Sequence, residues 1–117
     1  MNNYQQIIEA AWQDRSLLKD AATQSTIKEI IDLLDKGQLR VATPDGENWI
    51  VDEWVKKAVI LYFPIMPMKI MQEGPEQYYD KIPLKTDMEV AGIRTVPGSI
   101  LRYGAYVAAG VICMPSF

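Results

Sequence analysis

Apolar residues recur at helical spacing in three stretches of the chain, residues 3–15, 25–36 and 52–63. Spacings of three and four residues place side chains on one face, so each stretch predicts an amphipathic helix. Thr26 and Glu29 have the spacing of a capping box for the second helix, and Pro64 is expected to end the third. The predicted apolar faces are Ile7, Ile8, Ala11 and Trp12; Ile27, Ile30, Ile31 and Leu34; and Trp54, Ala58, Leu61 and Tyr62, with Val55 and Val59 beside them.

Two short β-prone runs, residues 39–42 and 48–51, flank the sequence Pro44-Asp45-Gly46. Asp-Gly between such runs predicts a β-hairpin, here with a loop longer than two residues. Residues 63–85 contain several prolines and are predicted to be the least regular part of the chain.

The last eighteen residues, 100–117, divide into three six-residue units. The opening apolar residues are Ile100, Tyr106 and Ile112, and the small residues four places later are Gly104, Gly110 and Ser116. This spacing is typical of a hexapeptide β-helix, in which three hexads form one coil. One coil cannot bury its own hydrophobic face, so we expect the front part of a longer protein.

The predicted fold class is therefore α+β. Residues 1–98 would form a small, mainly helical N-terminal domain with a β-hairpin, and residues 99–117 the start of the β-helix. The length of 117 residues agrees with one domain at most.

Composition excludes several classes of function. The net charge of -3 argues against a nucleic-acid partner, and the absence of histidine removes the commonest general base and zinc ligand. The single cysteine, Cys113, cannot form an internal disulfide and fits a reducing cytosol. The longest apolar run, residues 58–68, is too short and too broken by proline to span a bilayer. We therefore expect a cytoplasmic protein without a metal site.

Six segments of the chain resemble, in order and approximate spacing, the tetrahydrodipicolinate N-succinyltransferases. They are Leu-Arg-Val-Ala at 39–42, the run beginning Trp-Val-Lys-Lys at 54–63, Tyr-Asp-Lys-Ile-Pro-Leu-Lys at 79–85, Arg-Thr-Val-Pro at 94–97, Arg-Tyr-Gly-Ala-Tyr at 102–106 and Met-Pro-Ser at 114–116. Members of that family continue into a long left-handed β-helix and a C-terminal segment, both beyond this sequence. The stretch between Lys85 and Arg94 is also shorter than in some relatives.

The resemblance implies transfer of a succinyl group from succinyl-coenzyme A, as co-substrate, to the amino group of ring-opened tetrahydrodipicolinate in lysine and diaminopimelate biosynthesis. It implies a homotrimer with active sites between neighbouring β-helices, and no permanently bound cofactor. By the same resemblance, Arg94 matches the family arginine that binds the dicarboxylate substrate, a role that suits guanidinium because it can grip a carboxylate with two parallel hydrogen bonds. Arg102, which could equally face solvent, is the weaker substrate-binding candidate.

Other polar residues are assigned structural roles. Lys56 and Lys57 could approach a coenzyme A phosphate, but a solvated helix face is preferred. Residues 78–80 could form a substrate wall, although packing is preferred, and Cys113 is expected to pack in the coil. No residue is assigned as the general base or as part of the coenzyme A pocket, because both are expected beyond Phe117.

Two alternatives remain open. The chain could be a non-catalytic assembly or binding cap, because a single coil exposes strand edges and an apolar face. It could also belong to a hexapeptide acyltransferase with another substrate. On the preferred interpretation the isolated 117-residue chain is inactive, because the catalytic site needs stacked coils from two subunits.

Overall fold

Three helices pack together in the N-terminal part of the protein, for which a computed structural model describes residues 2–117. They are α1 (Asn2–Gln13), α2 (Ala21–Asp35) and α3 (Glu53–Ile65), with a 3₁₀ helix at Arg15–Lys19 between the first two. Each predicted helix is present, and each contacts the other two. The apolar stripes cause this packing, because a helix with one apolar face is stabilised when another element covers that face.

The start of α2 differs from the prediction. The helix begins at Ala21, so Thr26 and Glu29 lie inside it and the predicted capping box is wrong. Asp20 is the N-cap residue in extended conformation, and its carbonyl oxygen accepts from the Gln24 amide at 3.0 Å. Ala21 and Ala22 favour helix strongly, which explains the additional turn.

The buried core lies between the three helices. Most of the predicted apolar positions are buried, and Val55 takes the interior place beside Ala58. The half-buried exceptions are Ile7, Trp12, Trp54 and Val59. The Trp12 ring lies under the cations of Arg15, at 4.8 Å, and Lys57, at 5.6 Å. Helix α3 ends one residue after Pro64, which lies within its last turn.

A first hairpin connects α2 to α3. Strands β1 (Ala42–Asp45) and β2 (Asn48–Val51) are antiparallel, and Asp45 faces Asn48 across the turn. The loop is therefore the two residues Gly46 and Glu47, shorter than predicted. Gly46 has φ +63°, the conformation required at the first loop position of a type II′ turn.

A second hairpin lies in the stretch predicted to be irregular. Strands β3 (Lys69–Glu73) and β4 (Glu76–Asp80) pair in antiparallel fashion around Gly74 and Pro75. Pro67 precedes β3, Pro75 lies in the turn and Pro83 follows β4, so none of these three interrupts the ladder. The prolines therefore correctly indicate a turn in this stretch, but the prediction that they exclude regular strands is wrong.

The C-terminal segment stacks on the residues that follow a short helix, α4 (Met88–Ala91). Strand β5 (Arg94–Thr95) runs parallel to β6 (Ile112–Cys113), with Arg94 facing Ile112 eighteen residues later. The Gly110 amide donates to the Gly92 carbonyl at 2.8 Å and extends the same offset. The architecture is α+β. The boundary between residues 98 and 99 stays a prediction, and β5 lies on its N-terminal side.

Within residues 2–117, no helix has the length and apolar character needed to cross a membrane.

Candidate functional site

Arg94 lies on β5 with an exposed side chain. Its amide donates to the Val111 carbonyl at 3.0 Å, so the backbone of this position is held by the next pass of the chain. Among the described residues, the Arg94 guanidinium has no hydrogen-bond or ion-pair partner. A fixed backbone with an uncommitted guanidinium suits recognition of a carboxylate.

Arg102 is already paired. Its Nη2 lies 3.0 Å from Asp80 Oδ2, and its guanidinium lies over the Phe63 ring at 5.6 Å. The Lys81 amide, together with the charge of Arg102, lowers the pKa of Asp80 from its ordinary value. Any anion that binds Arg102 must therefore compete with an ionised carboxylate.

A cavity of about 470 Å³ lies beside the Arg102–Asp80 pair. Its walls are mostly apolar and come from the second hairpin, from the chain that follows it, and from Ile100. The lining residues are Met71, Gln77, Tyr78, Tyr79, Asp80, Ile82, Leu84, Ile100 and Arg102. Tyr78 to Asp80 thus reach Arg102, but Arg94 does not line this cavity. The two predicted substrate-binding arginines are placed in different surroundings.

The C-terminal end of α2 carries a polar cluster that the sequence did not indicate. Lys85 Nζ donates to Asp35 Oδ1 at 2.7 Å and to the Asp35 carbonyl at 2.9 Å. The Gly104 amide donates to the same Asp35 Oδ1 at 2.8 Å. The Lys85 side chain is only 5% exposed and that of Asp35 15%, so the pair is shielded from water. Asp35 therefore joins α2 to two distant segments.

Tyr103 makes a second connection to α2. Its hydroxyl donates to Asp32 Oδ1 at 2.6 Å, while Lys36 Nζ lies 2.7 Å from Asp32 Oδ2. Burial, followed by the hydrogen bond to Asp32, raises the pKa of Tyr103 far above its ordinary value, so the phenol keeps its proton at a pH where a free tyrosine ionises. The Lys36 ammonium and then the Tyr103 hydroxyl lower the pKa of Asp32.

The next aromatic residue packs against the end of the same helix. Gly37 has φ +74°, and a Cβ atom added there would lie 2.5 Å from the Tyr106 ring. Arg40 covers that ring at 4.7 Å. Because these contacts hold residues 103–106 against α2, they also hold the backbone that carries Arg102.

Lys56 and Lys57, for which a solvated helix face is preferred over coenzyme contact, both pair with carboxylates of the domain. Lys57 Nζ is 2.9 Å from Glu9 and joins α3 to α1, while Lys56 Nζ is 3.3 Å from Glu53. Cys113 is half-buried in β6. In the part of the chain that the structure describes, no group of three or more histidine, cysteine, aspartate or glutamate side chains could hold a metal ion. Of the two predicted arginines, Arg94 has an uncommitted guanidinium among the described residues, whereas Arg102 is paired with Asp80 and the two do not line one cavity.

Residues 3–65 match the family model described as the tetrahydrodipicolinate N-succinyltransferase N-terminal domain. The chain is 42% identical over 127 aligned positions to a protein of Aeromonas hydrophila named 2,3,4,5-tetrahydropyridine-2,6-dicarboxylate N-succinyltransferase, covering 100% of this chain and 46% of that protein. A protein of the same name from Methylorubrum populi is 40% identical over 126 positions, covering 98% of this chain and 45% of the relative.

The α+β domain thus matches in sequence the N-terminal domain of an acyltransferase family. The chain belongs to the tetrahydrodipicolinate N-succinyltransferase family. It spans about half the length of the curated relatives it matches.

Proposed function

We propose that the protein carrying this chain transfers a succinyl group from succinyl-coenzyme A to the amino group of ring-opened tetrahydrodipicolinate, in lysine and diaminopimelate biosynthesis. The observation that carries the proposal is 42% identity over the whole of this chain to a relative named for that succinyl transfer. The family match at residues 3–65 supports it from a separate comparison.

In this reaction the substrate amine attacks the thioester carbonyl carbon. A carbon–nitrogen bond forms, the carbon–sulfur bond breaks, the amine loses a proton, and coenzyme A leaves as its thiol. The described residues are assigned to substrate binding only, with the base and the coenzyme pocket in the remainder of the protein.

Arg94 is the proposed partner of a substrate carboxylate. Its support is a guanidinium that has no partner among the described residues, on a backbone held by Val111. Arg102 is a secondary candidate, because binding there requires the guanidinium to leave or share Asp80 at 3.0 Å. A binding arginine is worth most when no protein carboxylate competes for it.

The eighteen-residue offset between β5 and β6 supports a coil of a left-handed β-helix, because it equals three hexads. We propose that further coils stack on this one and that active sites form between the subunits of a cytoplasmic homotrimer. On this proposal the isolated chain of residues 1–117 shows no turnover, and coenzyme A release by that chain from succinyl-coenzyme A and tetrahydrodipicolinate would contradict it.

The test is steady-state kinetics on the protein that contains this chain and its continuation. An Arg94→Ala variant is expected to raise KM for the dicarboxylate by about tenfold to a hundredfold, with KM for succinyl-coenzyme A nearly unchanged. Arg15→Ala is the matched control, since Arg15 lies over Trp12, on the α1 side of the domain. Equal increases in both KM values would refute the role of Arg94. Absence of succinyl transfer by the unaltered protein would refute the proposed activity.

A second candidate is a hexapeptide acyltransferase with another acceptor. The cavity beside Arg102 favours it in one respect, because its walls are mainly apolar and aromatic. Kinetics with amino-sugar and monocarboxylate acceptors distinguish the two, since a dicarboxylate enzyme should use neither efficiently. The remaining alternative, a non-catalytic assembly cap, predicts no transfer with any acceptor.

A further inference from the structure

The hairpin of β1 and β2 stands apart from the rest of the described fold. Its two strands contact each other and no other helix or strand. Trp49 is 67% exposed, and Ile50 and Val51 are also exposed. Trp49 and Val51 lie on one face of β2 and Ile50 on the other, so both faces carry uncovered apolar side chains. A lone two-stranded hairpin is only marginally stable in water, and its exposed apolar residues favour a further layer or strand.

The ladder shows which backbone groups of this hairpin are free. The Asp52 amide donates to the Val41 carbonyl at 2.8 Å, which makes Val41 and Asp52 a hydrogen-bonded pair. Pairs alternate along an antiparallel ladder, so Ala42–Val51 and Pro44–Trp49 are non-hydrogen-bonded pairs. Trp49 and Val51 therefore direct their N–H and C=O groups away from β1, along the outer edge of β2.

The two outer edges of the hairpin are not equivalent. On β1 the corresponding positions are Ala42 and Pro44, and proline has no N–H to offer. The β1 edge is therefore blocked, as natural edge strands often are. On β2 both Trp49 and Val51 keep their amides, and no backbone hydrogen bond joins either residue to another part of the described chain. Only the β2 edge can accept a full strand.

The charges around this edge indicate the chemistry of the added strand. Asp45, Glu47 and Asp52 carry no ion pair or side-chain hydrogen bond among the described residues, and the segment 43–53 contains no lysine or arginine. A second copy pairing edge to edge through its own β2 would bring these carboxylates together. Like charges in that position are destabilising. A strand with lysine or arginine between β-branched residues would complement both the charge and the apolar face.

We propose that the outer edge of β2 is a docking site at which an extended, cationic segment of another protein adds as a third strand. The backbone of Trp49 and Val51 supplies the hydrogen bonds, and the exposed Trp49 ring supplies apolar contact. Asp45 and Glu47 select a cationic partner. This proposal concerns a surface remote from both candidate arginines and does not depend on the acyltransferase activity.

The direct test uses the 117-residue chain and a capped peptide of alternating lysine and valine. Hydrogen exchange is measured residue by residue by NMR. In the free chain, the Trp49 and Val51 amides should exchange fast and the Ile50 amide slowly. Saturating peptide should slow exchange at Trp49 and Val51, whereas the matched peptide of alternating glutamate and valine should leave both fast. If both amides stay fast at saturation, the docking site is refuted.

Two variants of Trp49 distinguish the contribution of its backbone amide to peptide binding from that of its aromatic ring. Trp49→Val keeps the amide, and Trp49→Pro removes it at a position where the ladder to β1 does not use it. Trp49→Pro is expected to bind the cationic peptide about tenfold more weakly than Trp49→Val. Asp45→Asn and Glu47→Gln should each weaken binding about threefold.

Two results would overturn the proposal even if a variant fails to fold. Equal affinity of the unaltered chain for the cationic and anionic peptides would remove the charge argument. Concentration-dependent protection of the Trp49 and Val51 amides without any peptide would show that the occupant is a second copy of this chain instead.

Discussion

The buried pair of Lys85 and Asp35 makes the strongest prediction about stability. An Asp35→Asn change keeps the shape of the side chain and an oxygen that can accept from the Gly104 amide, now 2.8 Å from Asp35 Oδ1. It removes the negative charge that faces Lys85 Nζ at 2.7 Å. The ammonium would keep two neutral acceptors, the amide oxygen at the place of Oδ1 and the residue 35 carbonyl at 2.9 Å, but no counter-charge.

The magnitude follows from the burial of the ammonium. Breaking a buried ion pair by removing one partner costs about 3–5 kcal/mol, because a charge is left in low dielectric. Asp35 is 15% exposed and neutral acceptors remain, so we expect a cost at or just below the lower limit of that range, about 2–3 kcal/mol. A cost of this size is a large fraction of the stability of a domain this small.

Urea denaturation followed by circular dichroism measures the effect as a change in the free energy of unfolding. Lys36→Met is the control, because Lys36 and Asp32 are 58% and 41% exposed and an exposed pair contributes about 0–1 kcal/mol. Lys85→Met in the Asp35→Asn background should recover part of the loss, since it removes the uncompensated charge. If Asp35→Asn costs no more than Lys36→Met, the pair is not buried in the way described.

Two further predictions concern the same end of α2. Gly37→Ala should destabilise the domain by about 1–2 kcal/mol more than Gly46→Ala. Both glycines have positive φ, but only Gly37 faces the Tyr106 ring. Equal losses of stability in thermal unfolding would contradict that contact. For Tyr103→Phe, the loss of stability should be full near neutral pH. It should shrink as pH falls through the lowered folded pKa of Asp32, and again above about pH 10, where unfolded Tyr103 ionises while the folded phenol keeps its proton. A pH-independent loss in urea titrations would refute the Tyr103–Asp32 hydrogen bond.

The helical part of the fold was predictable because its information is local. The spacing of Ile27, Ile30 and Ile31 alone places them on one apolar face of a helix. All three are buried where that face packs against the other helices. The start of α2 was predicted at the wrong residue because two local signals compete there. Thr26 and Glu29 have the spacing of a capping box, but Ala21 and Ala22 extend the helix past them, and local propensity decided the boundary.

The second hairpin was not predicted, because the prolines of residues 63–85 were interpreted as evidence against regular strands. Pro67 and Pro75 lie outside the paired residues of β3 and β4, where proline marks a border and breaks no ladder. The alternation of side chains between Lys69 and Glu73 is too short to predict a strand without its partner.

The sequence by itself determined the three apolar helix faces, the presence of a first hairpin around Asp45-Gly46 but not its two-residue loop, and the set of segments by which the family is identified. These depend on spacing or on a single backbone conformation, which neighbours in the chain decide. Only the tertiary structure decided which charges are free. Lys85 meets Asp35 across fifty residues, and Arg102 meets Asp80 across twenty-two, while Arg94 meets none among the described residues. The physical reason is that an ion pair depends on where the chain returns in space, and no periodicity along the chain records that distance.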